Sequence, residues 1–217
     1  MPGVSVKDKV VLISGSNRGI GKSFAIQALE MGAKKVYAGA RDESQLAELI
    51  AKYGDKIVPI ALDVTNQDHI DAAAAAARDV EILINNAGMG GGGPAVSNPN
   101  PDGQRMEMKV NYFGIMNLSS AFAPILKENG GGAIVNILSV AALSSFAFAP
   151  GYSASKAAGR SLTQALRVEL GGQNTLVSGV FPGPVDTDMA KNVPMDKVSP
   201  DSVAIHVYEE IAEGSED

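Results

Sequence analysis

The chain has 217 residues, a length that suits one α/β domain better than two. Hydrophobic residues make up 45% of it and charged residues 19%, which is enough apolar material for a core and too little charge for a disordered chain. The absence of cysteine excludes disulfides, thiolate nucleophiles and cysteine-ligated zinc, and two histidines are too few for a multi-histidine metal cage. Since only carboxylates remain as ligands, we expect no bound metal.

The formal net charge of −6 argues against a nucleic-acid partner, because such affinity is built largely from clustered Lys and Arg. The longest apolar runs have the length of a strand, and no basic segment followed by an apolar stretch and a cleavage site opens the chain. We therefore expect a cytoplasmic protein without membrane association.

Short β-branched runs alternate with longer helical patterns, which is typical of βαβ units with a parallel sheet. The predicted strands are residues 9–13, 35–40, 57–62, 82–86, 133–138 and 175–181. Several lack polar alternation, as expected for strands that are buried on both faces. Helices are predicted over residues 20–31, 42–53, 67–78, 104–128, 152–170 and 200–213. Residues 90–101 have no regular pattern, and loops of that length are commonly functional or mobile.

The first strand-to-helix turn contains three glycines with the spacing of a phosphate site. Gly15 permits a sharp turn, Gly19 lets a pyrophosphate approach the backbone, and Gly21 lets the helix pack closely on the strand. A nucleoside-triphosphate loop is the alternative, but it needs glycine at position 16, where Ser16 stands. The spacing therefore favours a dinucleotide over phosphoryl transfer.

Tyr152 and Lys156 lie four residues apart at the start of a predicted helix and so share one of its faces. A cation beside the phenol can lower its pKa from about 10 towards neutrality, a change of about 4 kcal/mol. The spacing alone is common on amphipathic helices, where such a lysine simply extends into solvent. Ser139, however, ends the fifth strand, at the edge where open parallel sheets bind ligands. The three residues together indicate a site where serine holds a substrate oxygen and tyrosine protonates it.

Further motifs occur in a fixed order: SGSNRGIG at 14–21, DV at 63–64, NNAG at 85–88, VNYFG at 110–114, YSASK at 152–156 and PGPVDT at 182–187. With them, residues 7–189 resemble the single-domain short-chain dehydrogenase/reductase family. The resemblance implies an α/β fold with a doubly wound, Rossmann-like parallel sheet in strand order 3-2-1-4-5-6. The family's seventh strand is missing from this chain, and residues 1–217 are expected to form a single dinucleotide-binding catalytic domain.

The resemblance also implies roles for individual residues. Tyr152 is the catalytic acid/base, Ser139 orients the substrate carbonyl, Lys156 binds the nicotinamide ribose and lowers the tyrosine pKa, and Asn111 holds a water in a proton relay. Asp63 and Val64 meet the adenine. The implied cofactor-binding residues are Gly15, Ser16, Asn17, Arg18, Gly19, Ile20, Gly21, Arg41, Asp63, Val64, Asn86, Ala87, Gly88, Tyr152, Lys156, Pro182, Gly183, Val185 and Thr187.

The choice of nucleotide follows from charge. The second strand ends at Ala40, so the acid that NAD-selecting enzymes place there is absent, and Arg41 follows it. Arg41 and Arg18 could form a guanidinium pair around a 2′-phosphate, which arginine binds well. We therefore predict NADP(H). The competing interpretation is that Asp42 serves NAD while both arginines are solvated.

The sequence predicts an NADPH-dependent carbonyl reductase, reversible as an alcohol dehydrogenase. Apolar side chains near the site indicate a mainly apolar ketone or aldehyde substrate; they are Leu143, Phe146, Phe148, Met189 and Val193. One alternative is an acyl-carrier-protein ketoreductase, for which this acidic chain offers no evident basic docking patch. The other is a nucleotide-sensing protein without turnover, which would not need the complete Ser–Tyr–Lys set. A homodimer is expected to form through the two long helices.

Overall fold

The computed structural model describes residues 1–217, which form one six-stranded parallel sheet with helices on both faces. The strands are β1 (Val10–Ser14), β2 (Lys35–Ala40), β3 (Ile57–Ala61), β4 (Ile82–Asn85), β5 (Gly132–Ile137) and β6 (Thr175–Val180). The helices are α1 (Gly19–Glu30), α2 (Ala47–Tyr53), α3 (Gln67–Ala76), α4 (Pro101–Met108), α5 (Gly114–Glu128), α6 (Pro150–Leu170) and α7 (Pro200–Glu213). The strand order is β3-β2-β1-β4-β5-β6, so the predicted fold class and order are confirmed.

The strands lack polar alternation because both faces of the sheet are covered. In β1, Val11 and Ile13 belong to a cluster of 24 buried residues that includes side chains of α1, α2 and α7. Val10 and Leu12 point the other way, into a cluster of 19 buried residues with side chains of α3, α5 and α6. Burying one such aliphatic side chain contributes about 1.5–3 kcal/mol, so the two cores fix the register of every strand.

Residues 104–128, predicted as one long helix, are helical throughout, but the segment differs from a regular α-helix. The helical segment begins earlier, because the side chain of Asn100 accepts from the Gly103 N–H and Pro101 occupies the first turn. It is then divided by a π-helical turn, Lys109–Phe113, before α5 begins at Gly114. Such turns insert one extra residue and occur frequently at functional sites.

Two other helices begin two or more residues away from their predicted starts. Residues 42–53 begin as a 3₁₀ turn, Glu43–Leu46, because the Asp42 carboxylate accepts from the Ser44 N–H at 3.0 Å; α2 follows it. Helix α6 begins at Pro150, two residues before the predicted start, since proline is well suited to the first helical turn. Its earlier start places Tyr152 inside the first turn.

The sheet ends at β6, without a seventh strand, as predicted. Beside it, the Gly179 N–H donates to the Glu216 carbonyl at 2.9 Å, and Arg167 pairs with Asp217. The terminal residues thus take up part of the hydrogen bonding along this edge. None of the helices combines the length and apolarity that crossing a bilayer requires.

Candidate active site

The glycine turn joins β1 to α1 at the carboxyl edge of the sheet. Gly15 and Gly19 have φ angles of +72° and +54°, in the left-handed region that favours glycine. At Gly21 a Cβ would lie 2.1 Å from the Gly15 carbonyl oxygen, so no larger residue fits without moving the backbone. These three positions let α1 start directly against the end of β1, as the sequence predicted.

The start of α1 fits an anion. Its N-cap residue, Arg18, makes no side-chain capping hydrogen bond, and the first turn contains no acidic residue. The first N–H groups of a helix have no intrahelical acceptor and carry partial positive charge, so they suit a negatively charged group such as a pyrophosphate. The remaining turn residues support this shape: Ser16 Oγ donates to the Ile13 carbonyl at 2.8 Å, Asn17 donates to Gln45 at 2.7 Å, and Ile20 packs on the core.

The end of β4 is tied to the glycine turn. Asn86 Nδ2 donates to the carbonyl oxygens of Ser14 and Gly15, at 2.9 and 3.1 Å. The N–H groups of Asn86 and Ala87 both donate to Ser14 Oγ at 3.0 Å. The Asn86 amide is therefore used to hold the turn, while the backbone from Ala87 to Gly88 continues along the crevice.

Asp63 and Val64 follow β3, beside the adenine end of the predicted cleft. Asp63 Oδ1 accepts from the Thr65 N–H at 2.8 Å and from its hydroxyl at 2.7 Å. Burial opposes ionisation of Asp63, but the bonds from Thr65 and the charge of Arg41 hold its pKa below the ordinary value. Val64 is buried, and its Cγ2 lies 2.8 Å from where a Cβ on Gly114 would stand. Asp63 thus carries a negative charge next to Arg41.

The two arginines predicted to bind a 2′-phosphate are both exposed, and one is already paired. Arg18 Nη1 lies 2.8 Å from Asp188 Oδ2, an exposed ion pair of the weak kind that another anion can replace. Asp42, the residue of the competing NAD interpretation, accepts from both the hydroxyl and the N–H of Ser44, which lower its pKa. Its carboxylate is therefore used as a helix cap.

Ser139, Tyr152 and Lys156 come together where β5 ends and α6 begins. Ser139 caps a short 3₁₀ turn, with its Oγ accepting from the Ala141 N–H at 3.1 Å. Lys156 is buried; its Nζ lies 5.7 Å from the centroid of the Tyr152 ring and donates to the Ile137 carbonyl at 2.7 Å. The structure brings these three residues together as the sequence predicted.

Burial dominates the protonation of this group. Burial raises the pKa of Tyr152; a hydrogen bond with Ser139 offsets part of this effect, and the charge of Glu107 adds to it. Burial also lowers the pKa of Lys156 to about 8. The ammonium group of Lys156 donates to the Ile137 carbonyl, and its effect on the tyrosine pKa stays a prediction. The phenol is consequently a proton donor at neutral pH.

Asn111 lies in the π-helical turn and is fully buried. Its side chain brackets the backbone of Met89: Oδ1 accepts from the N–H at 2.9 Å and Nδ2 donates to the carbonyl at 2.8 Å. Nδ2 also donates to Ser155 Oγ at 2.9 Å. The side chain is thus occupied in holding the segment after β4, where a Cβ on Gly88 would lie 3.5 Å from Lys156 Nζ. Its role in a water relay stays a prediction.

The segment after β6 crosses back over the glycine turn. The Pro182 carbonyl accepts from the Val140 N–H at 3.1 Å, and the space around Gly183 is open. Val185 is buried and forms an isolated bridge with Val198. Thr187 Cγ2 lies 3.2 Å from the position of a Cβ on Gly19. Residues 182–187 therefore extend from the turn after Ser139 to the glycine turn.

Apolar side chains occur on the segments that follow Ser139 and β6. Leu143, Phe148 and Met189 are 58%, 70% and 58% exposed, and Val193 is half-buried. The rings of Phe146 and Phe148 stack with their centroids 5.4 Å apart. These side chains lie on the segments that the sequence predicted as a substrate wall.

Sequence patterns did not single out three side chains of the site, or the backbone of Met89 that Asn111 holds. Ser14, Met89 and Ser155 belong to the motifs or their neighbours, but their hydrogen bonds depend on the tertiary fold. Glu107 was missed as well, although it lies four residues before Asn111 and hence on the same helical face. A charged residue on the inward face of a helix was the pattern that could have revealed it.

The parallel sheet, the glycine turn and the ligand crevice at the carboxyl edge define a dinucleotide-binding protein of the Rossmann-like class. Residues 9–198 match the family model described as short chain dehydrogenase. The chain belongs to the short-chain dehydrogenase/reductase family, whose members are oxidoreductases that bind a nicotinamide dinucleotide.

Relatives and solved structures agree with this assignment. The chain is 34% identical to a 7alpha-hydroxysteroid dehydrogenase of Escherichia coli over 191 residues, 85% of this chain and 74% of the relative. It superposes with a TM-score of 0.92 on a short chain dehydrogenase from Burkholderia cenocepacia in complex with NADP, with 38% identity over 98% of this chain and 87% of the other. A 7 alpha-hydroxysteroid dehydrogenase complexed with NADH and 7-oxo glycochenodeoxycholic acid gives a TM-score of 0.87, with 26% identity over 98% of this chain and 96% of the other.

Proposed function

We propose that this protein is an NADP(H)-dependent oxidoreductase that reduces a mainly apolar ketone or aldehyde to its alcohol, and oxidises the alcohol in reverse. The observation that carries the proposal is the convergence of Ser139, Tyr152 and Lys156 beside the glycine turn. A binding protein without turnover has no need of this set. The hydroxysteroid dehydrogenases among the similar proteins support carbonyl–alcohol interconversion on an apolar, ring-containing substrate.

In the proposed reaction the bound dinucleotide supplies the hydride that reduces the carbonyl carbon. Ser139 donates a hydrogen bond to the substrate oxygen and fixes its position next to Tyr152. The phenol of Tyr152 gives its proton to that oxygen as negative charge develops on it. The buried ammonium group of Lys156 stabilises the phenolate that remains. Asn111 holds the segment after β4 in place and so shapes the wall of the crevice.

The preference for NADP(H) rests on charge. No acid ends β2, Asp42 is occupied as a cap, and Arg41 and Arg18 supply exposed guanidinium groups. A 2′-phosphate can replace Asp188 as the partner of Arg18, because an exposed ion pair is weak. Arg41, beside the carboxylate of Asp63, is placed at the end of β2, next to the expected ribose.

The cofactor assignment is tested by measuring kcat/KM for NADPH and NADH with the parent and with Arg41→Ala. The parent is expected to prefer NADPH, and the variant to lose about tenfold or more of that preference, as one charge-assisted contact of about 1.5–3 kcal/mol is removed. Arg78→Ala is the matched control, since Arg78 precedes β4 at the opposite edge of the sheet. A parent that prefers NADH would refute the assignment.

The substrate class is tested with a panel of ketones and aldehydes, following the loss of NADPH absorbance. Apolar cyclic ketones are expected to give lower KM values than small polar aldehydes. Phe148→Ser should raise KM for the apolar substrates and leave kcat for small ones unchanged, since Phe148 lies at the rim. Equal KM values across the panel would contradict an apolar substrate wall.

A further inference from the structure

Glu107 is a buried carboxylate between α4, the loop after β4 and the start of α6. It belongs to α4 and is 1% exposed. Its Oε1 accepts from the Gly92 N–H at 2.8 Å, whereas Oε2 is buried without a hydrogen-bond partner. A buried carboxylate oxygen that lacks a donor costs free energy, so its retention calls for a functional explanation.

Glycines on two sides make room for this carboxylate. A Cβ on Gly92 would lie 2.7 Å from Glu107 Oε2, and one on Gly151 would lie 2.5 Å from it. Gly151 directly precedes Tyr152 in the first turn of α6. The carboxylate therefore sits at the junction between the loop after β4 and the start of the helix that carries the tyrosine.

The loop that Glu107 holds also covers the tyrosine. A Cβ on Gly90 would lie 3.4 Å from Cδ2 of the Tyr152 ring, so the loop backbone packs against that ring. Asn111, one helical turn further on, brackets Met89 in the same segment. Two side chains on one helical face thus hold residues 89–92 against Tyr152.

Two charged side chains lie near the Tyr152 ring, on different elements. Glu107 comes from α4, and Lys156 comes from α6 with its ammonium group directed at the Ile137 carbonyl. Arg105, on the same helix as Glu107, is exposed and paired with Asp102. Burial raises the pKa of the phenol, Ser139 lowers it, and the negative charge of Glu107 raises it.

We propose that Glu107 is a positioning residue for Tyr152: its carboxylate fixes residues 90–92 against the tyrosine ring and keeps the phenol protonated. A protonated phenol favours reduction, in which Tyr152 donates its proton. Alcohol oxidation needs the phenolate, so it should require a higher pH. This consequence rests on the proposed function, whereas the effect on the phenol itself does not.

The test compares Glu107→Gln with Glu107→Asp. Glutamine keeps the acceptor for the Gly92 N–H and removes the charge, while aspartate keeps the charge on a shorter side chain. Glu128→Gln is the control, because Glu128 pairs with Arg78 at the surface, away from the site. Ionisation of Tyr152 is followed in the free, full-length chain by the ultraviolet absorbance of tyrosinate, and Tyr152→Phe identifies its contribution among the five tyrosines. The pH profile of alcohol oxidation is measured in parallel.

Glu107→Gln is expected to lower the Tyr152 titration midpoint by about 0.5–1 pH unit and to shift the acid limb of the oxidation profile in the same direction. Glu107→Asp and Glu128→Gln are expected to stay near the parent. No shift in Glu107→Gln, or equal shifts in Glu107→Gln and Glu107→Asp, would overturn the proposal, since packing rather than charge would then set the midpoint. If no carbonyl is reduced, the proposed function fails, but the titration in the free chain still decides the role of Glu107.

Discussion

Replacing Lys156 by methionine should make the protein more stable at neutral pH while it abolishes turnover. Burial lowers the pKa of this lysine from 10.5 to about 8 in the folded chain. This shift means that burying the charged ammonium group destabilises the folded state by about 3 kcal/mol. The hydrogen bond from the ammonium group to the Ile137 carbonyl offsets about 1 kcal/mol of this destabilisation. Methionine has a similar straight side chain without the charge, and the Ile137 carbonyl loses its donor at a cost of at least about 1 kcal/mol, so a net gain of up to about 2 kcal/mol is expected.

The sign of the pH dependence follows from the lowered pKa. Below about pH 8 the lysine is charged in both states, and the full cost of burying its charge is present. Between about 8 and 10.5 the unfolded chain binds more protons than the folded one, so the stability contributed at this position rises with pH. The advantage of Lys156→Met should therefore shrink as the pH rises and disappear near pH 10.

Urea unfolding of the parent and of Lys156→Met, measured at neutral and alkaline pH, checks this expectation. Lys127→Met, at an exposed position of α5, is the control and should differ little from the parent at either pH. The reasoning is refuted if Lys156→Met is the less stable protein at neutral pH, or if its difference from the parent does not change with pH.

Two further substitutions test the packing around the site and the core. Gly21→Ala places a Cβ 2.1 Å from the Gly15 carbonyl oxygen. It should weaken dinucleotide binding at least about tenfold, measured by fluorescence titration, and lower the free energy of unfolding by about 1–3 kcal/mol. Gly172→Ala is the control and should change neither quantity, because Gly172 lies in open space. Tyr208 donates to the Phe24 carbonyl at 3.0 Å, and burial raises its pKa, so its contribution is present below about pH 10 and lost above it. Tyr208→Phe should lose about 1 kcal/mol at neutral pH and show a shallower alkaline decline in urea unfolding; an unchanged decline would contradict this.

The fold and most site residues could be predicted because local patterns determine them. A β-branched run covered on both faces has no alternative to a buried parallel strand, and the glycines at 15, 19 and 21 meet local steric requirements. All six strands therefore lie within one residue of their predicted bounds. Tyr152 and Lys156 share a helix face by spacing alone.

The remaining features depend on contacts between distant segments. The π-helical turn that directs Asn111 inward has no mark in a pattern of helix-forming residues, because α- and π-helical turns use the same residue types. The direction of the Lys156 ammonium group depends on Ile137, nineteen residues away in the chain, and the raised pKa of Tyr152 depends on how deeply the fold buries its ring. Glu107 resembles a solvated residue of an exposed helix until the loop after β4 is placed over it.

The most direct test of the proposed chemistry is Tyr152→Phe, measured by NADPH consumption with the best carbonyl substrate and by dinucleotide binding to the same protein. A positioned proton donor contributes roughly 10²- to 10⁴-fold to the rate, so turnover should fall by that factor while binding changes little. A variant that keeps most of the parent's turnover would contradict proton transfer from this phenol.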